Sequence, residues 1–241
     1  MGQHTSKSGG GGKGATAPKG SAYTRDTSAK ASDGSEIDLK DTPLVYGEHD
    51  AALSGSKRST IEAQERKRLN AKVEYAFALD RDGNQNPLAP EKRGGKGSVS
   101  TNSLYWRKDG VFTHNHPRTG DSAGILGGTF SVADIRAFTL SEVATMRASA
   151  SEGTYSISRR PGFDNRGLMN YMRKLDQQVT QNARTKVDAA YKRLRAKEIT
   201  LQEYRAESKK ATNAMLVELH NGLLKGQNYY GYSYTLERRA Q

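Results

Sequence analysis

The feature of this sequence that most constrains its fold is a change in the period of its apolar residues near residue 163. Before that point, short stretches such as 73–80 alternate apolar and polar residues, which predicts strands with a buried face. After it, apolar residues recur every three or four positions in two runs, which predicts two long helices. Those residues are Leu168, Met172, Leu175, Val179, Ala183, Val187, Ala190 and Leu194, followed by Leu201, Tyr204, Ser208, Ala211, Met215, Leu219 and Leu223. The two patterns together predict an α+β fold.

Turn and capping residues set the expected limits of the other elements. The expected strands cover 73–80, 110–116, 145–150, 154–160 and 229–239. Pro117 ends the second of these strands, because proline cannot donate to a sheet ladder. Ser59 and Thr200 are each followed three residues later by Glu, which is a capping box and predicts a helix N-terminus. Ser131 opens a further short amphipathic helix.

These elements divide the chain into four segments. Residues 1–43 are dominated by Gly, Ser, Lys, Ala and Thr, which predicts a flexible arm. Residues 59–162 are expected to form the core, and residues 163–226 a basic α-hairpin. Residues 227–241 are expected to form a strand that rejoins the core. The hairpin is then either an insertion before that last strand or a separate arm.

The charge balance favours anionic partners. Lys and Arg number 38 against 26 Asp and Glu, which gives a net charge of +12. Residues 166–210 hold twelve basic and five acidic side chains. Such an excess favours nucleic acid or another polyanion as a partner of the hairpin. Long helices also carry Lys and Arg on an outer face without any partner, so both interpretations stay open.

Three classes of feature are missing from the sequence. It has no cysteine, which excludes disulfides, thiolate metal sites and a cysteine nucleophile. No apolar run approaches the ~20 residues of a transmembrane helix. The N-terminus lacks the apolar stretch of a secretion signal. A cytoplasmic location is therefore expected, or a virion-associated one if the protein is encoded by a phage.

Two histidines stand two residues apart at the end of a predicted strand. Because alternate residues of a strand point to one face, His114 and His116 present neighbouring imidazoles, which are common zinc ligands. Asp134, in the first turn of the next helix, can add a carboxylate oxygen. Two His and one carboxylate leave a position of tetrahedral Zn²⁺ for water, as in catalytic sites. Ser131-x-x-Asp134 is equally a plain capping box, and two such histidines are equally a surface feature.

A metal-activated water also needs a general base. Glu74 is the preferred candidate, because its strand is expected to lie beside the strand that carries the histidines. A carboxylate there can take a proton from water and pass it to the leaving group. Glu48, Glu62 and Glu91 also precede the histidines in the sequence. The Ser131 hydroxyl can donate a hydrogen bond to the oxyanion of a tetrahedral intermediate.

The compound pattern of Glu, His-x-His-Pro and Ser-x-x-Asp resembles the JAB/MPN (JAMM) metalloprotease-like family. It looks closest to the RadC-like branch, whose motif also contains His-Asn-His-Pro, and related domains occur in phage head and tail proteins. The resemblance implies a mixed β-sheet flanked by helices and a hydrolase that cleaves peptide or isopeptide bonds. It implies His114, His116 and Asp134 as Zn²⁺ ligands, Glu74 as the base, and Ser131 as a residue that assists the tetrahedral intermediate.

The resemblance covers residues 60–160, and the chain departs from it in two places. The spacer 117–130 has fourteen residues, longer than is usual in the family, and is a lid over the cleft, a crossing loop or a block to substrate entry. The basic hairpin is not part of the minimal family fold. A second interpretation is therefore a phage-type structural or morphogenesis protein. Such a protein would bind nucleic acid or acidic partners through residues 166–210, with a structural or vestigial metal site. An HNH nuclease is not indicated, because its site residues are dispersed over a hairpin and a helix.

Overall fold

A computed structural model describes residues 28–30, 36–38, 56–85, 91–99, 109–117, 128–150 and 153–238. The helices are α1 (Ser56–Arg68), α2 (Val132–Leu140), α3 (Asn165–Arg195) and α4 (Leu201–Tyr230). The strands are β1 (Ser28–Lys30), β2 (Glu36–Asp38), β3 (Tyr75–Leu79), β4 (Lys92–Arg93), β5 (Val111–Asn115), β6 (Thr145–Ser149), β7 (Gly153–Arg159) and β8 (Tyr232–Arg238). The predicted α+β class is confirmed.

The main sheet is mixed and has six strands in the order β4-β3-β5-β6-β7-β8. Strands β5 and β6 are parallel, and α2 lies between them in the chain as the crossover that parallel pairing requires. The other neighbours are antiparallel. The strand β8 pairs with β7 along its whole length, so the end of the described chain returns to the sheet.

The two faces of the sheet are covered by different helices, and β5 shows the division. Phe112 belongs to the large apolar core, which also contains Ile135 and Phe138 of α2. Val111, on the opposite face, packs in a small cluster with Ile61 of α1. His114 is two residues from Phe112 and therefore lies on the α2 face, as the period of a strand requires.

The long helices α3 and α4 pack on the sheet as well as on each other. Their residues in the large core are Leu168, Met172, Val179, Leu219, Leu223 and Leu224. At Gly222 the helices approach so closely that a Cβ atom would overlap the Leu175 side chain. The helical pair precedes β8 in the chain, and its base belongs to the core. Among the described residues, no helix combines the length and the apolarity needed to cross a bilayer.

Two predicted helix boundaries differ from the structure. The helix α1 begins at Ser56, so the capping box at Ser59 is wrong, and the Ser59 hydroxyl instead donates to the Ser56 carbonyl inside the helix. The helix α4 continues through Tyr230, so residues 227–230 are not part of a strand. It ends at Gly231, whose φ of 66° is a left-handed cap that glycine adopts easily.

The predicted arm, residues 1–43, contains a local structure that the prediction lacked. The strands β1 and β2 pair as an antiparallel ribbon. The sequence between them contains Asp33-Gly34, a dipeptide favoured in hairpin turns. The rest of this arm and most of the spacer 117–130 lie outside the described residues, so their predicted roles stay predictions.

A buried ion pair, rather than an apolar stripe, holds α1 on the sheet. Of the 13 residues of α1, only Ile61 and Glu65 are buried. The Glu65 carboxylate accepts hydrogen bonds from Nε and Nη2 of Arg147 on β6, at 2.7 and 3.0 Å. It accepts another from the Thr113 hydroxyl, at 2.9 Å. Glu65 is 5% exposed, so removal of Arg147 would leave its carboxylate buried without a countercharge, whereas Arg147 without Glu65 would keep only Glu237, at 3.4 Å.

We therefore expect Arg147→Ala to lower the free energy of unfolding by about 3–5 kcal/mol. For a chain of this size the melting temperature should fall by roughly 6–20 °C in a thermal unfolding experiment. A Glu65→Leu/Arg147→Leu double variant should recover much of the loss, because no charge remains unpaired. A single variant as stable as wild type would contradict this account of how α1 is held.

Candidate metal centre

Three side chains predicted from the sequence as ligands converge at the end of β5. The Nε2 atoms of His114 and His116 are 3.0 Å apart. His114 Nε2 lies 3.3 Å from Asp134 Oδ1, and His116 Nε2 lies 3.8 Å from Asp134 Oδ2. Among the described residues this is the group of three whose ligand atoms fall within 4.8 Å of one another. The group can hold a metal ion.

The spacing fits a tetrahedral ion. Bonds of about 2.0–2.1 Å at the tetrahedral angle place neighbouring ligand atoms about 3.3 Å apart. The distances between the two Nε2 atoms, 3.0 Å, and between His114 Nε2 and Asp134 Oδ1, 3.3 Å, are close to that value, while His116 Nε2 lies 3.8 Å from the other Asp134 oxygen. With three protein ligands, a fourth position is left for water or substrate.

Asp134 is fixed by a capping box at the start of α2. The backbone N–H and the hydroxyl of Ser131 both donate to Asp134 Oδ2, at 2.8 and 2.7 Å. The Asp134 N–H donates to Ser131 Oγ in return, at 3.2 Å. Because the cap uses Oδ2, the other oxygen remains to face His114. The same position of Asp134 therefore allows it both to cap α2 and to serve as a candidate metal ligand.

The histidines are fixed by the sheet and by the segment that precedes α2. His114 pairs with Ala148 in the β5–β6 ladder and is 3% exposed. His116 lies just beyond β5, where its backbone N–H donates to the Ser149 carbonyl at 2.8 Å. A backbone hydrogen bond with Gly128 acts on its ring. A hydrogen bond of this kind restricts the orientation of the His116 ring.

The charges of the three groups depend on one another. Burial raises the pKa of Asp134, but the charge and hydrogen bond of His114 outweigh it and lower that pKa well below its usual range. Burial lowers the pKa of His114, but Asp134 outweighs it, so the pKa lies above its ordinary value of 6.5. Burial and then the charge of His114 lower the pKa of His116 to about 4. At mildly acidic pH, His114 is therefore the ligand from which a metal must displace a proton.

Zinc affinity should accordingly depend on pH through His114. A raised pKa means that the ring is protonated below 6.5, so each unit of acidification should weaken the apparent zinc affinity about tenfold. His116 should add a second proton only near pH 4. The measurement is a zinc titration against a chelator between pH ~5 and ~7.5. An affinity that does not change with pH over that range would contradict this assignment of the ligands.

Glu74 lies immediately before β3, on the same face of the sheet as His114. Ala76 is paired with His114 in the β3–β5 ladder, and Glu74 is two residues before Ala76. Its backbone is fixed by Gly94 and Gly95, since Glu74 N–H donates to the Gly95 carbonyl at 2.8 Å and Gly94 N–H donates to the Glu74 carbonyl at 2.7 Å.

Asn115 fixes the same segment from the other side, a role that the sequence analysis missed. Its Oδ1 accepts from the Tyr75 backbone N–H at 2.7 Å, and its Nδ2 donates to the Val73 carbonyl at 3.2 Å. The two bonds bracket Glu74. A signal was present, because an Asn between two ligands points to the opposite face of its strand and must find polar partners there.

The surroundings of the Glu74 carboxylate raise its pKa. Burial raises its pKa, the charge of His114 lowers it, and the charge of Asp134 raises it. The net direction is upward, and a backbone hydrogen bond from Val99 favours the charged form. A carboxylate with a raised pKa is a better proton acceptor at neutral pH.

The other upstream glutamates have different surroundings. Glu62 pairs with Arg58 at 2.8 Å on α1, which covers the opposite face of the sheet. Glu91 pairs with Arg68. Glu48 lies outside the described residues. Of the described candidates, Glu74 alone lines the cleft that holds the metal-binding group.

Ser131 lies at the cleft, but its hydroxyl proton is used by Asp134 in the capping box. To donate to an oxyanion, as predicted, the hydroxyl would have to turn away from Asp134. In the observed geometry Ser131 orients the ligand instead.

A second polar chain, also missed from the sequence, holds the segment before Ser131. Thr129 Oγ1 lies 2.8 Å from the Tyr234 hydroxyl, which lies 2.9 Å from His220 Nδ1. All three residues are buried. They connect this segment to β8 and α4, so the C-terminal part of the chain supports the site. Tyr234 and His220 stand at the periodic positions of a strand and a helix, so the sequence does not distinguish this hydrogen-bonding role from ordinary core packing.

The group opens into a cleft of about 550 Å³. The sheet residues Phe112 and Met146 form its floor. Three elements form its walls: α2, the segment 96–99, and the packed helices α3 and α4. Glu74 and all three candidate ligands line it, so these four side chains border one space.

Comparison with family models, with curated proteins and with solved structures gave no match to this chain. The resemblance to the JAB/MPN family stays a prediction from the motif.

Proposed function

We propose that this protein is a zinc-dependent hydrolase of the JAMM type that cleaves peptide or isopeptide bonds. The observation that supports it most is the convergence of the ligand atoms of His114, His116 and Asp134 within 4.8 Å of one another, with Glu74 in the same cleft. A plain surface pair of histidines would explain neither the buried position of His114 nor an adjacent carboxylate with a raised pKa.

Each residue has a chemical role in this proposal. Zinc held by the three ligands would lower the pKa of water to near 7 and polarise a carbonyl. The Glu74 carboxylate accepts the proton of the attacking water and delivers it to the departing amine, so one peptide and one water give a carboxylate and an amine. Ser131 keeps Asp134 oriented, and Asn115 keeps the Glu74 backbone in place.

The direct test is cleavage of a defined mixture of peptides by the zinc-loaded full chain, followed by mass spectrometry. We expect new termini to appear with zinc, to disappear with a chelator, and to return when zinc is restored. Intact peptides under all three conditions, from a protein shown to carry zinc, would refute hydrolysis of peptide bonds by this site.

A second candidate function rests on the distal part of α3. The last turn of α3 carries Lys192, Arg193 and Arg195, all exposed. Arg193 pairs with Glu207 at 2.9 Å, whereas Lys192 and Arg195 have no ion pair with any described residue. Exposed cations without partners attract phosphates irrespective of sequence. We propose nucleic-acid binding in a phage-type structural or morphogenesis protein as the alternative to, or companion of, hydrolysis.

Anisotropy measurements with labelled DNA test the second candidate. The dissociation constant should rise at least about tenfold between ~50 and ~200 mM salt. Lys and Arg side chains that bind phosphates release counterions from the DNA, and added salt opposes that release. Lys192→Glu/Arg195→Glu should weaken binding, whereas Glu74→Gln should leave it unchanged. Binding that is independent of salt, or equal in the charge-reversed variant, would exclude this surface.

A further inference from the structure

One wall of the cleft is supplied by α3 and α4. Asp176 of α3 and Met215, Leu216 and Leu219 of α4 line the same cleft as the candidate ligands. A substrate bound at the ligands would therefore lie against this helical wall. The wall offers two kinds of surface.

The first is a carboxylate without a partner. Asp176 is half-buried, and within the described ranges it has neither an ion pair nor a hydrogen bond. Glu203 is engaged in the cap of α4 and Glu207 pairs with Arg193, whereas Asp188 and Glu218 are exposed and lie outside the cleft. A carboxylate partly withdrawn from water gains most from a cation that enters the cleft, because the surrounding dielectric is lower than that of bulk water.

The second is an aliphatic side chain that the core does not use. Met215 and Val217 pack against the large core, and Leu219 is buried in it. Leu216 is half-buried, lines the cleft and is not among the residues packed in that core. If an apolar group of a bound ligand covers Leu216, the surfaces of that group and of the Leu216 side chain are both removed from water.

We infer that Asp176 and Leu216 select a peptide substrate that carries a Lys or Arg side chain close to a large aliphatic residue near the bond to be cleaved. This inference names the substrate class of the proposed hydrolase and rests on that proposed function. The carboxylate pairs with the cationic side chain, and Leu216 covers the aliphatic one. At Asp176 an acidic side chain is disfavoured, because it would bring a second negative charge there; Lys96, the cation that also lines the cleft, belongs to the wall formed by segment 96–99.

Peptide binding to zinc-loaded Glu74→Gln tests the inference without need of turnover. The probes are fluorescein-labelled octapeptides of Gly, Ala and one Leu, in which a single Lys or a single Glu occupies each position in turn. We expect the best Lys peptide to bind at least about tenfold more tightly than its Glu counterpart. Adding Asp176→Asn should reduce this ratio to below about threefold, and Asp176→Lys should reverse it. Leu216→Ser should weaken binding of the Lys peptide about tenfold.

Matched controls lie on the same helices outside the cleft. Asp188→Asn on α3 and Leu201→Ser on α4 replace exposed residues and should leave both affinities unchanged. Equal binding of Lys and Glu peptides, or a preference that survives Asp176→Asn, would overturn the inference, whatever the wild type cleaves. The proposed function is tested by a different experiment, the cleavage of the peptide mixture. If the wild type cleaves no peptide there, the proposed function is refuted, whatever the binding measurements give.

Discussion

Replacing Glu74 by Gln is expected to reduce peptide hydrolysis at least about a thousandfold, while the chain keeps its zinc. The amide preserves the size and most of the polar contacts of the carboxylate, but it cannot accept a proton from water. The three ligands are untouched, and the backbone of residue 74 stays bonded to Gly94 and Gly95. The loss should therefore appear in kcat rather than in zinc content, which elemental analysis measures.

Glu62→Gln is the matched control, because Glu62 is another glutamate upstream of the histidines but lies on the helix over the opposite face of the sheet. It should retain the activity of the wild type. If Glu62→Gln lost activity and Glu74→Gln kept it, the assignment of the base would be wrong. If neither variant lost activity, the hydrolysis would not proceed through a carboxylate base from this part of the chain.

Replacing His116 by Ala is expected to lower zinc content from one ion per chain to nearly none after dialysis. Only one imidazole and one carboxylate would remain as ligands, and each removed bond lowers affinity by orders of magnitude. The wild type should melt at a higher temperature with zinc than without, because zinc binds the folded site. His116→Ala should lose that increase and melt like the zinc-free wild type.

The fold of the variant is not expected to suffer. His116 lies beyond the last residue of β5, and its backbone bond to Ser149 does not depend on the side chain. Circular dichroism should therefore match that of the wild type. An unchanged zinc content and an unchanged response of the melting temperature to zinc would show that His116 is not a ligand.

The parts of this molecule that the sequence predicts are those with a strong local pattern. The alternation around Phe77 predicts β3, and the three-and-four spacing through Leu168 and Leu219 predicts α3 and α4. The pairing of His114 with His116 follows from the period of a strand. Asp134 is expected near the histidines because it stands in the first turn of the helix that follows β5, although a fourteen-residue spacer separates the two elements.

The parts that it does not predict depend on contacts between distant segments. Glu65 and Arg147 are charged residues, and nothing in their local sequence indicates burial. Both are buried because they form an ion pair, although 82 positions separate them in the sequence. Asp176 has the pattern of a solvated helix residue, and only the packing of α3 on the sheet brings it to the cleft. The end of α4 differs from the prediction for a different reason. The aromatic run around Tyr230 favoured a strand, although Gly231 after it is a helix-capping signal.

The most direct test of the central claim is a crystal structure of the zinc-soaked protein with anomalous scattering measured at the zinc edge. The account requires a single strong peak within about 2.0–2.2 Å of the His114 and His116 Nε2 atoms and one Asp134 oxygen, with water at the fourth position. Ordered side chains at these three positions with no peak between them, or a zinc ion bound elsewhere in the molecule, would contradict it.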